Sequence, residues 1–474
     1  MAMETPPPAA APHFLFVVSA VQGHINPARR LAARIMASEP SARVTFSTAV
    51  SGHRRMFPSL ASPEQEAVDA AGVSFIPHSD GYDEGFDPKV HGTGNYKARA
   101  HAAGKETLSA VIAVLAARGR PVTCMVYTFL VAYAPHVARA HGLPAVLYWI
   151  QPATVFAVYY HYFHGHDEVL ASCANDPDPD AAVHLPGLPP LKSDALPSAV
   201  SITSPEHHYY LLLDLLRDLF AALDEELTTK VVVNTFDALE PDALRSVPQF
   251  ELVTVGPMVP VDESSPSNTD LFRLDDTKAF MDWLDTKPAR SVVYVSFGSL
   301  LQMNKRQEEE IRRGLEATGR PYLWARKRAG EGETFDSAAD GEGRAQGMVV
   351  QWCDQVKVLS HPAVGCFVTH CGWNSTLESV TIGVPMVAVP QWTDQPTVAW
   401  LVDACMHAGV RARLDGEGVV ERDELQRCVE TIMADGDAAT GVRAQAELWK
   451  HRAEEAVALG GSSERSLRSF ASGP

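Results

Sequence analysis

The stretch that decides the fold runs from Trp352 to Gln395: WCDQVKVLSHPAVGCFVTHCGWNSTLESVTIGVPMVAVPQWTDQ. Within it, Gly365–His370 (GCFVTH) has the apolar composition of a buried strand. A polar turn, CGWNS, follows, then the helix-like TLESVTIG, then a second strand, PMVAVP. Strand, turn, helix and strand make a βαβ unit. The turn that opens such a helix gathers unpaired backbone N–H groups and the positive end of the helix dipole at one point. That point suits a phosphate. His370 and Ser375 flank it as side-chain donors, so the stretch reads as a candidate diphosphate site.

The same alternation extends outward on both sides. Towards the N-terminus, apolar runs at 13–19, 43–49, 73–78, 122–127, 145–150 and 230–236 read as strands, with helices expected at 27–38, 97–118, 133–141 and 207–227. Residues 166–198 read as an irregular, proline-rich surface loop. Residues 255–275 are polar, proline-bearing and without periodicity, which marks a linker. Beyond them strands are expected at 291–297, 322–326 and 348–352. Helices are expected at 305–318, 396–407, 422–434, 442–459 and 462–470. The expected class is α/β, with two tandem doubly wound units facing a cleft: residues 1–254, then the linker 255–275, then residues 276–459.

The chain has 474 residues, 46% of them hydrophobic, a net charge of −18 and a pI near 5.4. That balance argues against nucleic acid or an anionic membrane as the main partner, while leaving room for an anionic ligand held by local donors. Seven dispersed cysteines suit a reducing compartment. There is no basic, apolar leader and no apolar run of about 20 residues, so a cytoplasmic protein without a membrane span is expected.

Single residues carry less than the constellation. Gly298–Ser299 follows a strand and offers a second phosphate turn, although such a pair is more often a plain loop. Trp352 is either a core tryptophan or a flat surface for a base, the latter worth about 1–3 kcal/mol. Gln355 can read a base edge. Glu378 either complements the helix dipole or accepts ribose hydroxyls. Asp394 and Gln395 follow a strand and can bind sugar hydroxyls. His24, in the turn after the first strand, is either structural or a base. Neither a GxGxxG turn nor a Walker lysine loop is present, which disfavours a dehydrogenase or a P-loop enzyme. The Asp-x-Asp pairs in Asp176–Asp180 lie in a proline-rich loop rather than after a core strand, and His361, Cys366, His370 and Cys371 lack zinc-site spacing. No metal is expected.

Taken together, Trp352–Gln395 resembles the 44-residue signature of plant secondary-product UDP-glycosyltransferases. The resemblance extends to QGHINP, SDGYDEGF, Val126–Tyr127 and WIQPATVF, and so over the whole chain. It implies the GT-B architecture, with two Rossmann-like domains and the terminal segment 460–474 crossing back onto the first. It implies that Trp352, Cys353 and Gln355 meet the uridine and Glu378 the ribose. His370, Gly372, Asn374, Ser375 and Ser299 would hold the diphosphate, and Trp373, Asp394 and Gln395 the sugar, with Gln395 favouring glucose. His24 would be the base of an inverting transfer from UDP-glucose, with no cofactor, to a small acceptor near Gln151, Phe156 and Trp392, in a monomer. One departure stands out: where the family carries an aspartate partner for the histidine, this chain has Thr128. A hydroxyl orients imidazole but does not stabilise imidazolium by charge, so an acidic acceptor, a phenolic or flavonoid hydroxyl or a carboxylate, is expected. The alternatives are a non-catalytic nucleotide-sugar binder and another enzyme of this architecture, such as an epimerase.

Overall fold

A computed structural model describes residues 11–178, 180–225, 230–259, 278–298, 303–326 and 346–473. Ser299, most of the expected linker and nearly all of the Gly/Glu/Ala-rich stretch 329–347 lie outside them.

Strands β1 (His13–Val17), β2 (Arg43–Ser47), β3 (Ala67–Val68), β4 (Ser74–Phe75), β5 (Cys124–Tyr127) and β6 (Ala145–Trp149) come first. After a small hairpin, β7 (Ala182–Val183) and β8 (Leu191–Lys192), come β9 (Lys230–Val233) and β10 (Glu251–Thr254). Apart from that hairpin they form one sheet in the order β10-β9-β6-β5-β1-β2-β4-β3, in which, among the described residues, only the β3–β4 pair is antiparallel. The second sheet contains β11 (Val292–Ser296), β12 (Tyr322–Ala325), β13 (Gly347–Val350), β14 (Val364–Thr369), β15 (Met386–Ala388) and β16 (Gly409–Arg411), all parallel, in the order β13-β12-β11-β14-β15-β16. Helices cover both faces, and β1, β5, β6, β11 and β14 are buried along their whole length. This is why these strands read as continuous apolar runs rather than alternating ones. The expected class, α/β with two Rossmann-like doubly wound sheets, is the one found.

Topology locates the site. The chain order reverses at β1 in the first sheet, where β2 lies on one side and β5 on the other. It reverses at β11 in the second, between β12 and β14. Ligands in open parallel sheets bind beyond the carboxyl ends of the strands at such switch points. His24 and Thr128 follow β1 and β5, while Gly298 and His370 follow β11 and β14.

Several local expectations are corrected. The first helix spans Gln22–Ser38, so His24 sits in its first turn rather than in a loop, with Pro27 inside the helix. The stretch 166–198 is not wholly irregular: Asp167–Ala174 is a helix and β7 and β8 pair within it. Ala153–His161 is a fully buried helix that the sequence reading did not separate from WIQPATVF. The last helix, Ser462–Ala471, packs on the first sheet: Leu467, Phe470 and Ala471 join its core, and the Phe470 ring lies 5.7 Å from Phe14.

Two buried polar groups set measurable stability. The helix Ala153–His161 has Pro152 at its N-cap position and no side-chain cap there. Its acceptor comes instead from Glu240, which takes hydrogen bonds from Ala153 N (3.0 Å), Thr154 N (2.8 Å) and Thr154 Oγ1 (2.8 Å). Glu240→Leu strands three buried donors, so we expect a loss of at least about 2 kcal/mol in chemical denaturation. Glu240→Gln, which keeps one acceptor oxygen, should cost less, and equal losses would contradict this assignment. His78 lies between Ser47 Oγ (2.8 Å) and Tyr133 OH (2.6 Å), and burial pushes it down to about 4. The unfolded chain then takes up a proton near pH 6.5 that the folded chain refuses until about pH 4. Stability present above pH 6.5 is therefore lost as the pH falls through that window. Denaturation midpoints measured at pH 7.5 and 5 should differ less in His78→Gln than in the parent protein.

Candidate active site

The second half supplies a candidate anion cradle. After β14 the chain turns at Cys371, whose φ is +63°, and Gly372 caps the helix Trp373–Ile382. Among the described residues no side chain caps that helix, and its first internal bond is Thr376 N to Gly372 O at 3.0 Å. The N–H groups of residues 373–375 are therefore directed off the helix end. The His370 ring lies between this turn and the one after β11. A Cβ on Gly372 would stand 2.5 Å from His370 Nε2, and one on Gly298 (φ +75°) 2.8 Å away. Both positions need glycine because the imidazole occupies the space. Burial pushes His370 down to about 4, against a backbone hydrogen bond to Ser296 that acts the other way. It is thus a neutral hydrogen-bonding group at pH 7 and not a cation. Ser299, expected beside Gly298, lies outside the described residues.

Alongside the cradle runs a hydrogen-bonded chain of side chains. Tyr294 OH donates to Gln355 Oε1 (3.3 Å). Gln355 Nε2 donates to Ser375 Oγ (2.9 Å) and to Glu378 Oε2 (2.7 Å). Arg30, from the first half, donates to Glu378 Oε1 at 3.0 Å. Trp352 is half-buried just beyond β13. Two expected contacts are redirected. The Cys353 thiol is buried against Tyr294 OH (3.2 Å), so this side chain supports the fold. The Trp373 indole is buried and donates to Asn234 O (2.7 Å), so it faces the junction of the halves and not a sugar.

The sugar-binding candidates close the loop after β15. Asp394 is buried, which raises its carboxyl to about 6 against the opposing hydrogen bond from Thr393 Oγ1 (2.8 Å). Gln395 Oε1 accepts from Gln391 N (2.9 Å) and Trp392 N (3.1 Å), so its amide NH2 is the end left for a ligand. The Trp392 ring stacks on Tyr209 with centroids 4.9 Å apart, and Ser198 N donates to Thr393 O at 2.8 Å. A segment of the first half therefore lies over this loop.

The first half contributes the histidine. His24 Nδ1 is 3.0 Å from Thr128 Oγ1, in a buried hydrogen bond that joins the elements after adjacent strands β1 and β5. Phe129 packs on the ring at 4.8 Å, and burial pushes His24 down to about 3. The two halves meet beside it. Pro27 has no N–H, so the Gly23 carbonyl four residues earlier has no helical donor. Asn374 Nδ2 from the second half supplies one at 2.8 Å. His24 is thereby adjacent to the contact with the cradle helix.

The acceptor candidates separate. Gln151 has a buried Oε1 without a partner among the described residues. Phe156 is removed from the site: it is fully buried against Trp149, Phe220 and Phe250. The Asp176 and Asp178 carboxylates accept backbone N–H groups two residues on, and Asp180 pairs with Lys192. Arg30 and Tyr294 were missed, since an arginine on an amphipathic helix and a tyrosine in a strand carry no sequence signal of their own.

The chain is similar to known proteins along nearly its whole length. The family model described as UDP-glucoronosyl and UDP-glucosyl transferase matches residues 272–449. A crocetin glucosyltransferase from Gardenia jasminoides, named as chloroplastic, is 43% identical over 97% of this chain and 96% of its own. An anthocyanidin 3-O-glucoside 5-O-glucosyltransferase from Perilla frutescens is 42% identical over 95% and 96%. The crystal structure of Os79 from O. sativa in complex with UDP superposes with a TM-score of 0.79 at 30% identity, covering 97% of this chain and 99% of that one. With its nucleotide-type cradle, its paired switch points and relatives of this identity along nearly its whole length, the chain belongs to the plant UDP-glycosyltransferases.

Proposed function

We propose that the protein transfers glucose from UDP-glucose, with inversion, to an acidic oxygen of a small plant metabolite. The observation that carries this is the Asn374–Gly23 bond, which sets the His24 helix against the start of the cradle helix. In this reading Trp352 stacks on the uracil, Gln355 contacts the uridine and Glu378 takes the ribose hydroxyls. His370, Ser299, Ser375 and the amides of residues 373–375 receive the diphosphate, and Asp394 and the Gln395 amide hold the glucose. The acceptor oxygen forms its bond to the anomeric carbon as its proton passes to His24 Nε2. The bond from that carbon to the diphosphate oxygen breaks, and UDP departs with the electron pair, met by donors already in place. Residues 1–254 with 460–474 form the acceptor unit and residues 276–459 the donor unit, in a cytoplasmic monomer that needs no metal.

Two features point to an acidic acceptor. A base held near 3 removes a proton from an alcohol poorly. An aspartate accepts only, and would hold the imidazole proton on Nδ1 with Nε2 free to act. Thr128 Oγ1 both donates and accepts, so it does not select that tautomer and adds no charge when imidazolium forms. Phenols, near 10, and carboxylic acids, near 4, need the least help. The names of the anthocyanidin-glucoside and crocetin relatives suit small-metabolite acceptors.

An acceptor panel with UDP-glucose tests this. We expect phenols or carboxylic acids to exceed aliphatic alcohols in kcat/KM, and Thr128→Asp to raise alcohols more than acids. A best substrate that is an aliphatic alcohol would contradict the reading. Thr128 also motivates a second reading, a nucleotide-sugar binder, which predicts UDP-glucose binding without turnover. UDP release that needs no acceptor would favour an epimerase. A further check is the pH profile. Because His24 is neutral down to about 3, kcat/KM should show no acid limb near pH 6.5, whereas a limb there that vanishes in His24→Gln would overturn the buried, neutral base.

A further inference from the structure

Arg30 lies two turns beyond His24 on the Gln22–Ser38 helix, facing the second half. Its Nη1 donates to Glu378 Oε1 at 3.0 Å and to Met258 O at 3.0 Å, and both members of the ion pair are largely buried. Its neighbour on the same face, Arg34, donates to Val255 O at 3.2 Å. One helix thus uses successive turns to hold the backbone where the first half ends and the carboxylate where the nucleotide site begins.

The arithmetic of Glu378 gives this pair a consequence. A carboxylate offers about four acceptor sites, two on each oxygen. Gln355 Nε2 takes one on Oε2 and Arg30 takes one on Oε1. One site on each oxygen is left, and the two are fixed in direction because each oxygen is pinned by a separate donor. Two acceptors side by side match the vicinal 2′- and 3′-hydroxyls of a ribose. Without Arg30 only the Gln355 bond on Oε2 would hold the carboxylate, leaving Oε1 unpinned, and a buried anion would have lost its cation.

We propose that Arg30 is a positioning residue for the ribose of the donor: a cation from the acceptor half that aims the Glu378 carboxylate and ties nucleotide recognition to the apposition of the two halves. This rests on the reading of Glu378 as the ribose acceptor. It assigns to the first half a part in selecting the nucleotide, and it makes affinity for UDP depend on the halves being closed on each other.

The test is calorimetric titration of the full-length protein with UDP and with 2′-deoxy-UDP, for the parent protein, Arg30→Met and Arg30→Lys, with circular dichroism confirming that each is folded. The parent should bind UDP more tightly than the deoxy form. Arg30→Met should weaken UDP about tenfold, the scale of one hydrogen bond to a charged group, and weaken 2′-deoxy-UDP much less, so that the preference collapses. Arg30→Lys, which keeps the cation, should restore part of that preference. A merely structural role would weaken both nucleotides equally and leave their ratio unchanged, and that result, or an unchanged affinity for both, would overturn the proposal. If the parent protein itself fails to distinguish the two nucleotides, the ribose reading of Glu378 fails first.

Discussion

The junction of the two halves centres on one carbonyl group. Gly23 sits in the first turn of a helix whose sixth residue is Pro27, and the missing N–H leaves the Gly23 oxygen without its helical donor. Asn374, near the start of a helix in the other half, fills the gap at 2.8 Å. Each helix starts at the switch point of its own sheet, so this bond brings two ligand-binding edges together. At this junction the carbonyl that a proline leaves open in one helix is filled by a side chain from another. The Trp373 indole on Asn234 O and Arg30 on Glu378 extend the same junction along the two helices.

Burial then sets the chemistry. His370 is wedged between Gly298 and Gly372, and His24 between Thr128 and Phe129, and both rings are pushed well below the usual imidazole range. A neutral His370 keeps the cradle from relying on a protonated side chain. Its donors are amides, hydroxyls and one imidazole, whose strength comes from position in a site of low polarity. In the proposed reaction a neutral His24 would serve as a weak base at any ordinary pH. On that reading the absence of a carboxylate at residue 128 bears on the choice of acceptor more than on the choice of donor.

The candidate donor site is the most local part: Trp352, Gln355, His370, Glu378, Asp394 and Gln395 fall within 44 residues of one βαβ pattern and its flanks. The parallel sheets were legible in the sequence, since strands buried on both faces read as unbroken apolar runs. What was lost depends on direction. Trp373 lies where the pattern places it, but its indole turns towards the other half. Phe156 looks like a pocket residue in WIQPATVF and is core, because the whole Ala153–His161 helix is buried. The first helix was expected to begin at Pro27, which reads as a boundary; it begins at Gln22, because the open carbonyl that proline creates is satisfied across the cleft. Arg30 meets Glu378 at a separation of 348 residues, which no periodicity encodes.

The central claim is that a nucleotide diphosphate binds at the junction of these two helices, on the second half's cradle. Amide hydrogen exchange with and without UDP tests it most directly. The account predicts slowed exchange in peptides covering residues 352–355 and 372–378, with a smaller effect at residues 22–30, where the first half leans on the cradle. Protection confined to the first sheet, or none at residues 372–378, would contradict it.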